Sequence, residues 1–339
     1  MSTSAAARGA AKPRTSRTPA ISTRFAAIWV ALAILMAVSA VVAPRSVLPA
    51  TLLEIAPLAA FLAIVSCGQA LVLMSGGIDL SPPALITLAS TLLLGISRGH
   101  GGQLPLAMAL ALLACAAVGL LNGILIAVLR VNALIATLAD GAIVSGLTLW
   151  YREGLPAEAR VPAIMATWGD LRLFGLNMVV WIAAALIALL AVLLRKTVTG
   201  RRFAAVGANP RAAWIAGLNV QLFQSAAYTL AALLYGLVGL LLSAFIRNPT
   251  LKVGDPYLLA PIAAAVLGGT AIGGGIGSMV AVAGAALFLT QLGQLLVMLG
   301  LPTAYQFIIN GAVIAVGMAL GEGRLRVALR PARPDANSP

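Results

Sequence analysis

Charge is what this sequence has least of. Of its 339 residues 9% are charged and 61% are hydrophobic, where a soluble globular chain carries about 25% charged residues. A soluble fold needs a polar exterior, and 22 basic plus 9 acidic residues cannot cover a chain of this size. The solvent of this protein is therefore lipid. Histidine is almost missing: His100 stands alone in a Gly-rich loop, so no metal site is expected, because ligation needs several such groups converging. Cys67 and Cys115 are the only cysteines and both fall in apolar runs, which implies no disulfide framework. Lysine occurs at Lys12, Lys196 and Lys252 alone, after Ala11, Arg195 and Leu251. A P-loop needs its lysine after glycine, and no soluble stretch is long enough for a nucleotide-binding domain. The chain is expected to hydrolyse no ATP and to bind no cofactor itself. No Ser/His, paired-Asp or His/Glu constellation lies within the apolar runs, which disfavours an intramembrane enzyme.

What is abundant is Ala, Leu, Val and Gly, the small and aliphatic residues that let membrane helices approach closely. A span needs about 20 apolar residues. The runs predict an all-α polytopic membrane protein of about ten spans, at about 26–43, 51–74, 84–97, 106–129, 133–151, 176–194, 222–245, 257–272, 279–299 and 304–320. The third and eighth are short by this measure and the fifth is loosely bounded. Residues 26–43 also resemble a signal peptide with a cleavage-like Ala-Val-Ser-Ala, but apolar segments continue through the whole chain, so they are read as a span. Residues 1–24 read as a disordered basic tail, 25–320 as the transmembrane domain and 321–339 as a second tail.

The net charge of +13 would suggest nucleic acid in a soluble protein. Its placement points elsewhere. Arg8, Lys12, Arg14, Arg17 and Arg24 precede the first apolar run, and five more basic residues lie between 195 and 211 with no acid among them. The tail carries Arg324, Arg326, Arg330 and Arg333 against Glu322 and Asp335, whereas the 152–175 loop balances Arg152, Arg160 and Arg172 with Glu153, Glu158 and Asp170. Basic residues clustered in alternate loops follow the positive-inside rule. Both termini and the loop at about 195–220 are expected in the cytoplasm, and the 152–175 loop outside.

Three stretches interrupt the apolar pattern. The first is Ser75-Gly76-Gly77-Ile78-Asp79-Leu80-Ser81-Pro82-Pro83. Ser81 before Pro82 is a helix-start signal, a hydroxyl N-cap with proline at the first helical position, and Asp79 would sit near the positive end of that helix. Asp79 could equally line a translocation path, since broken helices in transporters border cavities. The second runs from Leu267 through Gly268, Gly269, Thr270, Gly273, Gly274, Gly275 and Gly277 to Ser278. Glycine this dense cannot continue a helix. It is a tight turn between close-packed helices or, paired with the first interruption, the mark of an internally repeated transporter. The third is the basic loop with Thr199, Gly200, Arg201, Arg202, Gly207, Asn209, Pro210, Arg211, Ala212, Ala213, Trp214 and Gly217. Asn209 suits an N-cap, Pro210 the first helical position and Gly217 the C-terminal cap, which predicts a helix of about two turns. It either lies on the membrane surface through Arg211 and Trp214 or docks into a groove of a cytoplasmic partner. Asn122, Thr137, Asp140, Gln291, Gln294 and Asn310 are polar residues inside spans, ordinarily interhelical glue; Asp140 additionally needs a partner, a proton or a water-filled cavity.

At these stretches the sequence resembles the permease subunit of ribose-type bacterial ABC importers, within the branched-chain amino acid/ribose permease superfamily. The resemblance is carried by Gly76-Gly77-Ile78-Asp79-Leu80-Ser81, by Asn122-Gly123 with Ile135-Ala136-Thr137-Leu138, by Gly200-Arg201, Val206-Gly207 and Asn209-Pro210 with Ala212-Ala213 and Ala216-Gly217, and by Leu267-Gly268-Gly269-Thr270 with Gly274-Gly275 and Gly277-Ser278. Their order and spacing over about residues 55–320 make it specific. It implies a bacterial inner-membrane permease with an internal pseudo-repeat, paired with a second permease copy or a paralogue. It also implies two ATP-binding subunits that consume ATP, a periplasmic sugar-binding protein, and contact between residues 199–217 and the ATPase. Gly76, Gly77, Asp79, Ser81, Asn122, Thr137, Gly268, Gly269 and Thr270 become the candidate helix-break and pathway residues. Pro82-Pro83, where small residues are usual, and Asp140, where an uncharged residue is expected, depart from the pattern and leave the substrate open. A pentose, hexose or related polyol is the first reading; branched-chain amino acids or nucleosides are the alternative. An ion-coupled carrier using Asp79 and Asp140 is the competing mechanism.

Overall fold

The computed structural model describes residues 23–156, 160–302, 304–305, 308–309, 311–312 and 315. The tail 1–22, Glu158, Asn310, most of the span at 304–320 and the tail 321–339 lie outside the described residues. Twelve α-helices follow in order among those described: α1 (Thr23–Val42), α2 (Pro49–Met74), α3 (Pro82–Ser97), α4 (Leu104–Ala127), α5 (Ala133–Glu153), α6 (Ala163–Asp170), α7 (Met178–Lys196), α8 (Val198–Ala208), α9 (Pro210–Ile215), α10 (Val220–Ile246), α11 (Ala260–Leu267) and α12 (Met279–Met298). Seven are long and apolar enough to cross a membrane, and α3 and the stretch Asp255–Leu267 are shorter apolar helices. The protein is an α-helical, multi-pass membrane protein. One two-residue hairpin departs from the all-α expectation: β1 (Arg172–Leu173) pairs antiparallel with β2 (Leu176–Asn177) in the 152–175 region.

The span at 257–272 also needs correction. Its helix ends at Leu267, and eight residues rise only about 12 Å, less than half a hydrocarbon core. The residues after it form a glycine loop. In the basic loop the expected short helix is present as α9, but a second helix, α8, precedes it. Its N-cap is Thr197, whose hydroxyl accepts from the Gly200 N–H at 3.0 Å.

Helix α2 is the axis of the bundle. It is 83% buried over its span and packs against α7, α10, α11 and α12, while α7 is only 11% buried and turns its surface outward. Small residues set the approach of the inner helices. On α4, Gly119 and Gly123 form a small-xxx-small seam against α10, where a Cβ at Gly123 would stand 2.6 Å from the Ser225 Cα. In lipid such close backbone packing replaces the hydrophobic effect as the force between helices. The ends of the bundle differ in character. One carries α8 and α9; the other carries α6 and the hairpin. The nineteen residues of α7, about 28 Å long, connect them.

Candidate helix-break and coupling site

Helices α2 and α11 end identically. Past α2, Gly76 has φ +91°, its N–H donates to the Leu73 carbonyl and the Gly77 N–H donates to the Val72 carbonyl. Past α11, Gly269 has φ +85°, its N–H donates to Val266 and the Thr270 N–H donates to Ala265. This pair of bonds closing on a left-handed residue is the Schellman cap, which glycine adopts without the steric cost other residues meet. Each break then leads into another helix, α3 or α12.

The first break is held by side chains. The Asp79 carboxylate, through Oδ1, accepts from the Ser81 N–H at 2.8 Å and the Ser81 hydroxyl at 2.7 Å. Ser81 is therefore not the side-chain cap that its position before Pro82 predicts: its hydroxyl is bonded backward to Asp79 and makes no cap bond. A carboxylate is the stronger acceptor and satisfies the α3 entry from two residues upstream. The Leu80 N–H donates to the Thr137 hydroxyl of α5 at 3.1 Å, and Gly141 of α5 lies over Leu80 and Ser81. From α2, the Gln69 amide clamps the Asp79 backbone in the orientation that matches both its ends. It donates to the Asp79 carbonyl at 3.0 Å and accepts from the Asp79 N–H at 3.2 Å. From α10, Gln224 donates to the Ser75 carbonyl at 3.3 Å. Tyr228 lies against Gly77 so closely that a Cβ there would overlap its hydroxyl. That hydroxyl is buried and has no hydrogen-bond partner among the described residues. Asn122 of α4 donates to Asp140 Oδ2 of α5 at 2.9 Å, giving the carboxylate the partner its burial demands.

The second break is held by backbone. The Gly275 N–H donates to the Met74 carbonyl, the last of α2, at 2.8 Å. Gly207 of α8 lies in the same place: a Cβ on it would overlap the Met74 carbonyl oxygen and stand 2.7 Å from the Gly275 nitrogen. A Cβ on Gly275 would stand 2.7 Å from the Ala208 Cα, and one on Gly277 2.5 Å from the Met74 sulfur. Gly268 packs under Val282 of α12, with 2.7 Å left for a Cβ. Thr270 is buried, and its hydroxyl has no partner among the described residues. Arg195, at the end of α7, donates to the Ser278 hydroxyl at 2.8 Å. The three interruptions read separately in the sequence thus meet at one point, where Met74, Gly207 and Gly275 touch main chain to main chain.

On α9, Asn209 caps the helix by accepting from the Ala212 N–H at 3.0 Å. Gly217 and Leu218 close it by donating to Trp214 and Ala213. Gly200, Gly207 and Ala213 are buried inside the chain, while Arg201, Arg202, Pro210, Arg211 and Ala212 are exposed. The outermost side chains are Trp214, 73% exposed, and Ile215, 80% exposed. Beside them opens a cavity of about 930 Å³ lined by Ile126, Arg130, Trp214, Gln221 and Gln224 among others. Through Gln224 it reaches the first break. Gln69, Gln224, Tyr228, Arg195 and Ile215 were not singled out from sequence. Gln69, alone among apolar neighbours in mid-span, carried a signal of its own; Tyr228 and Ile215 did not.

Among the described residues no group of three or more His, Cys, Asp or Glu side chains is placed to hold a metal ion. Residues 51–318 match the family described as "Branched-chain amino acid transport system / permease component". The ribose import permease protein RbsC of Bacillus subtilis (strain 168) is 33% identical over 298 residues, covering 86% of this chain and 91% of that protein. RbsC of Escherichia coli (strain K12) is 32% identical over 292 residues, 85% and 91% of the two chains. The autoinducer 2 import system permease protein LsrC of Escherichia coli O9:H4 (strain HS) is 33% identical over 279 residues, 80% and 78%. No solved structure matches the chain.

Proposed function

The chain belongs to the branched-chain amino acid transport system permease family, and on that premise we propose that it is the membrane-spanning permease subunit of an ATP-binding cassette importer that moves a sugar. The relatives named for ribose import are matched over nine-tenths of their own length, and a further relative is named for autoinducer 2 import. In this reading the chain crosses the inner membrane about ten times, with both termini, α8 and α9 in the cytoplasm and the hairpin outside. It pairs with a second permease, receives solute from a periplasmic binding protein, and leaves ATP hydrolysis to separate subunits.

The observation that carries the reading is the junction of Met74, Gly207 and Gly275. An ATPase seated on the exposed face of α9 would push on α8, and α8 touches both helix breaks without an intervening side chain. Backbone-to-backbone contact has no rotamer to absorb the motion, so displacement of α8 moves the end of α2 and the loop before α12 together. The ion-coupled alternative needs a carboxylate free to exchange its ion, whereas Asp79 Oδ1 already accepts two hydrogen bonds from Ser81.

Reconstitution of the permease with its ATPase and binding protein tests this. Uptake of D-ribose should need ATP and all three components. Uptake by the permease alone under a proton or sodium gradient would overturn it. For topology, single cysteines at Phe174, 88% exposed, and Ile215, on a background lacking Cys67 and Cys115, should label from opposite sides of the membrane.

A further inference from the structure

Between α10 and α11 the chain is irregular apart from one turn of 3₁₀ helix at Asp255–Tyr257, and it does not stay at the end of the bundle. Helix α10 finishes at Ile246 on the hairpin side, where Arg247 pairs with Asp170. By Gly254 the chain is back against the first turn of α3: a Cβ on Gly254 would overlap the Pro83 carbonyl and stand 2.8 Å from the Pro83 Cα.

Three packing points give the height of that turn along α10. Gly77, before α3, lies against Tyr228. The Leu85 carbonyl accepts from the Cys115 thiol at 3.6 Å, and Cys115 Sγ is 2.8 Å from where a Gly236 Cβ would stand. The Ser90 hydroxyl donates to the Gly239 carbonyl at 2.9 Å. Helices α3 and α10 therefore run parallel, and Pro83 and Gly254 lie near the level of Gly236. That is about 15 Å below Ile246 and about 5 Å from the middle of α10, at 1.5 Å per helical residue.

Lys252 and Asp255 flank Gly254, and both are exposed. Among the described residues neither side chain is hydrogen-bonded or ion-paired; the ion pair present is Arg247 with Asp170. Non-helical backbone at membrane depth exists only where protein buries it or water reaches it. Charged side chains at that depth face a bundle interior or a water-filled cavity, and a lysine stem is far shorter than the roughly 15 Å to the end of α10.

We propose that Lys252 and Asp255 stand in the wall of the water-filled solute path and contact the solute, Asp255 accepting from its hydroxyls and Lys252 donating to its oxygens. This rests on the reading of the chain as a sugar permease. An ammonium and a carboxylate three residues apart on a turn-rich, irregular segment suit a polyhydroxylated neutral solute, which offers donors and acceptors on every face.

The test uses the assembled complex with Cys67 and Cys115 replaced by alanine. Lys252→Cys, Asp255→Cys and Leu189→Cys are each exposed to the hydrophilic thiol reagent MTSET. Leu189, 54% exposed on the outward face of α7, is the lipid-facing control. Cysteines at 252 and 255 should react at least ten-fold faster than at 189, in the nucleotide-free or the ATP-trapped complex, and D-ribose should slow them several-fold. Asp255→Asn should slow ribose uptake about ten-fold while the complex still assembles. Reaction as slow as at 189 in both states places the segment in lipid or a dry permease–permease interface and overturns the proposal, as does labelling indifferent to a ribose that is transported. If wild-type complex takes up no ribose yet both cysteines react fast, sugar as the solute falls and the watery location stands.

Discussion

The two helix breaks share a cap and differ in everything else that holds them. Residues 75–81 are fastened by four side chains from three helices: Gln69 of α2, Thr137 of α5, and Gln224 and Tyr228 of α10. Residues 268–278 are fastened chiefly by main chain, with glycines seated on Met74 and α8 and one side-chain bond, from Arg195 to Ser278, at the far end. A side-chain staple tolerates a conservative change, because an isosteric group can restore its bond. A main-chain contact tolerates none, because any added carbon occupies space already filled. The first break is thus built to hold a polar loop at rest inside the bundle, and the second to pass displacement between elements.

The sharpest way to break this comparison is Gly207→Val. Its side chain would overlap the Met74 carbonyl and displace Gly275. Overpacking typically costs about 1–3 kcal/mol, and here a buried backbone bond is lost as well. Uptake by the reconstituted complex should vanish and the thermal midpoint of the purified permease should fall. Normal uptake would remove the junction from the mechanism. Thr137→Val comes next. It leaves the Leu80 N–H without its acceptor at a loss of about 1 kcal/mol, read as a lower unfolding midpoint in mixed micelles, while Thr137→Ser should restore most of it. A valine variant as stable as the wild type, with the serine variant the less stable, would mean that Thr137 acts by shape alone.

Asp79→Asn tests the staple more gently. Asparagine keeps an oxygen for the Ser81 N–H and hydroxyl, so the protein should insert and fold, with uptake reduced only a few-fold. A folded variant with no transport would give Asp79 a direct part in the path. The smallest effect is expected at Asn209→Gly, because glycine is a tolerable N-cap, a few tenths of a kcal/mol below asparagine. Ile215→Ala on the exposed face of α9 should weaken ATPase association more than Asn209→Gly does, in a pull-down of the ATPase subunit.

Much of this was legible along the chain because it depends on local chemistry. The spans at 51–74, 84–97 and 279–299 match α2, α3 and α12 to within two residues, since hydropathy and the caps beside it act over a few residues. Asn209, Pro210 and Gly217 mark α9 for the same reason. Ser81 misled because the local rule favours the nearest hydroxyl, and the carboxyl group of Asp79 two residues back proved the better acceptor. The segment at 257–272, already short by its apolar count, is misbounded because composition alone does not distinguish eight helical residues plus a glycine loop from a longer helix.

The sequence by itself determined the solvent, the apolar segments, the positions where helices stop and the alternation of charge between loops. Each follows from the free energy of placing a residue type in lipid, in water or at a helix end, independent of distant partners. Only the tertiary structure decided which glycines meet. Gly207 and Gly275 touch Met74 across more than a hundred residues of chain, and no propensity or period reports such a contact. It depends on how α2, α8 and α12 are set against one another, and a glycine in a free turn reads the same as one against a carbonyl. It also decided which side of α9 faces outward, turning Ala213 in and Trp214 and Ile215 out, because a helix this short buries whichever face its neighbours leave room for.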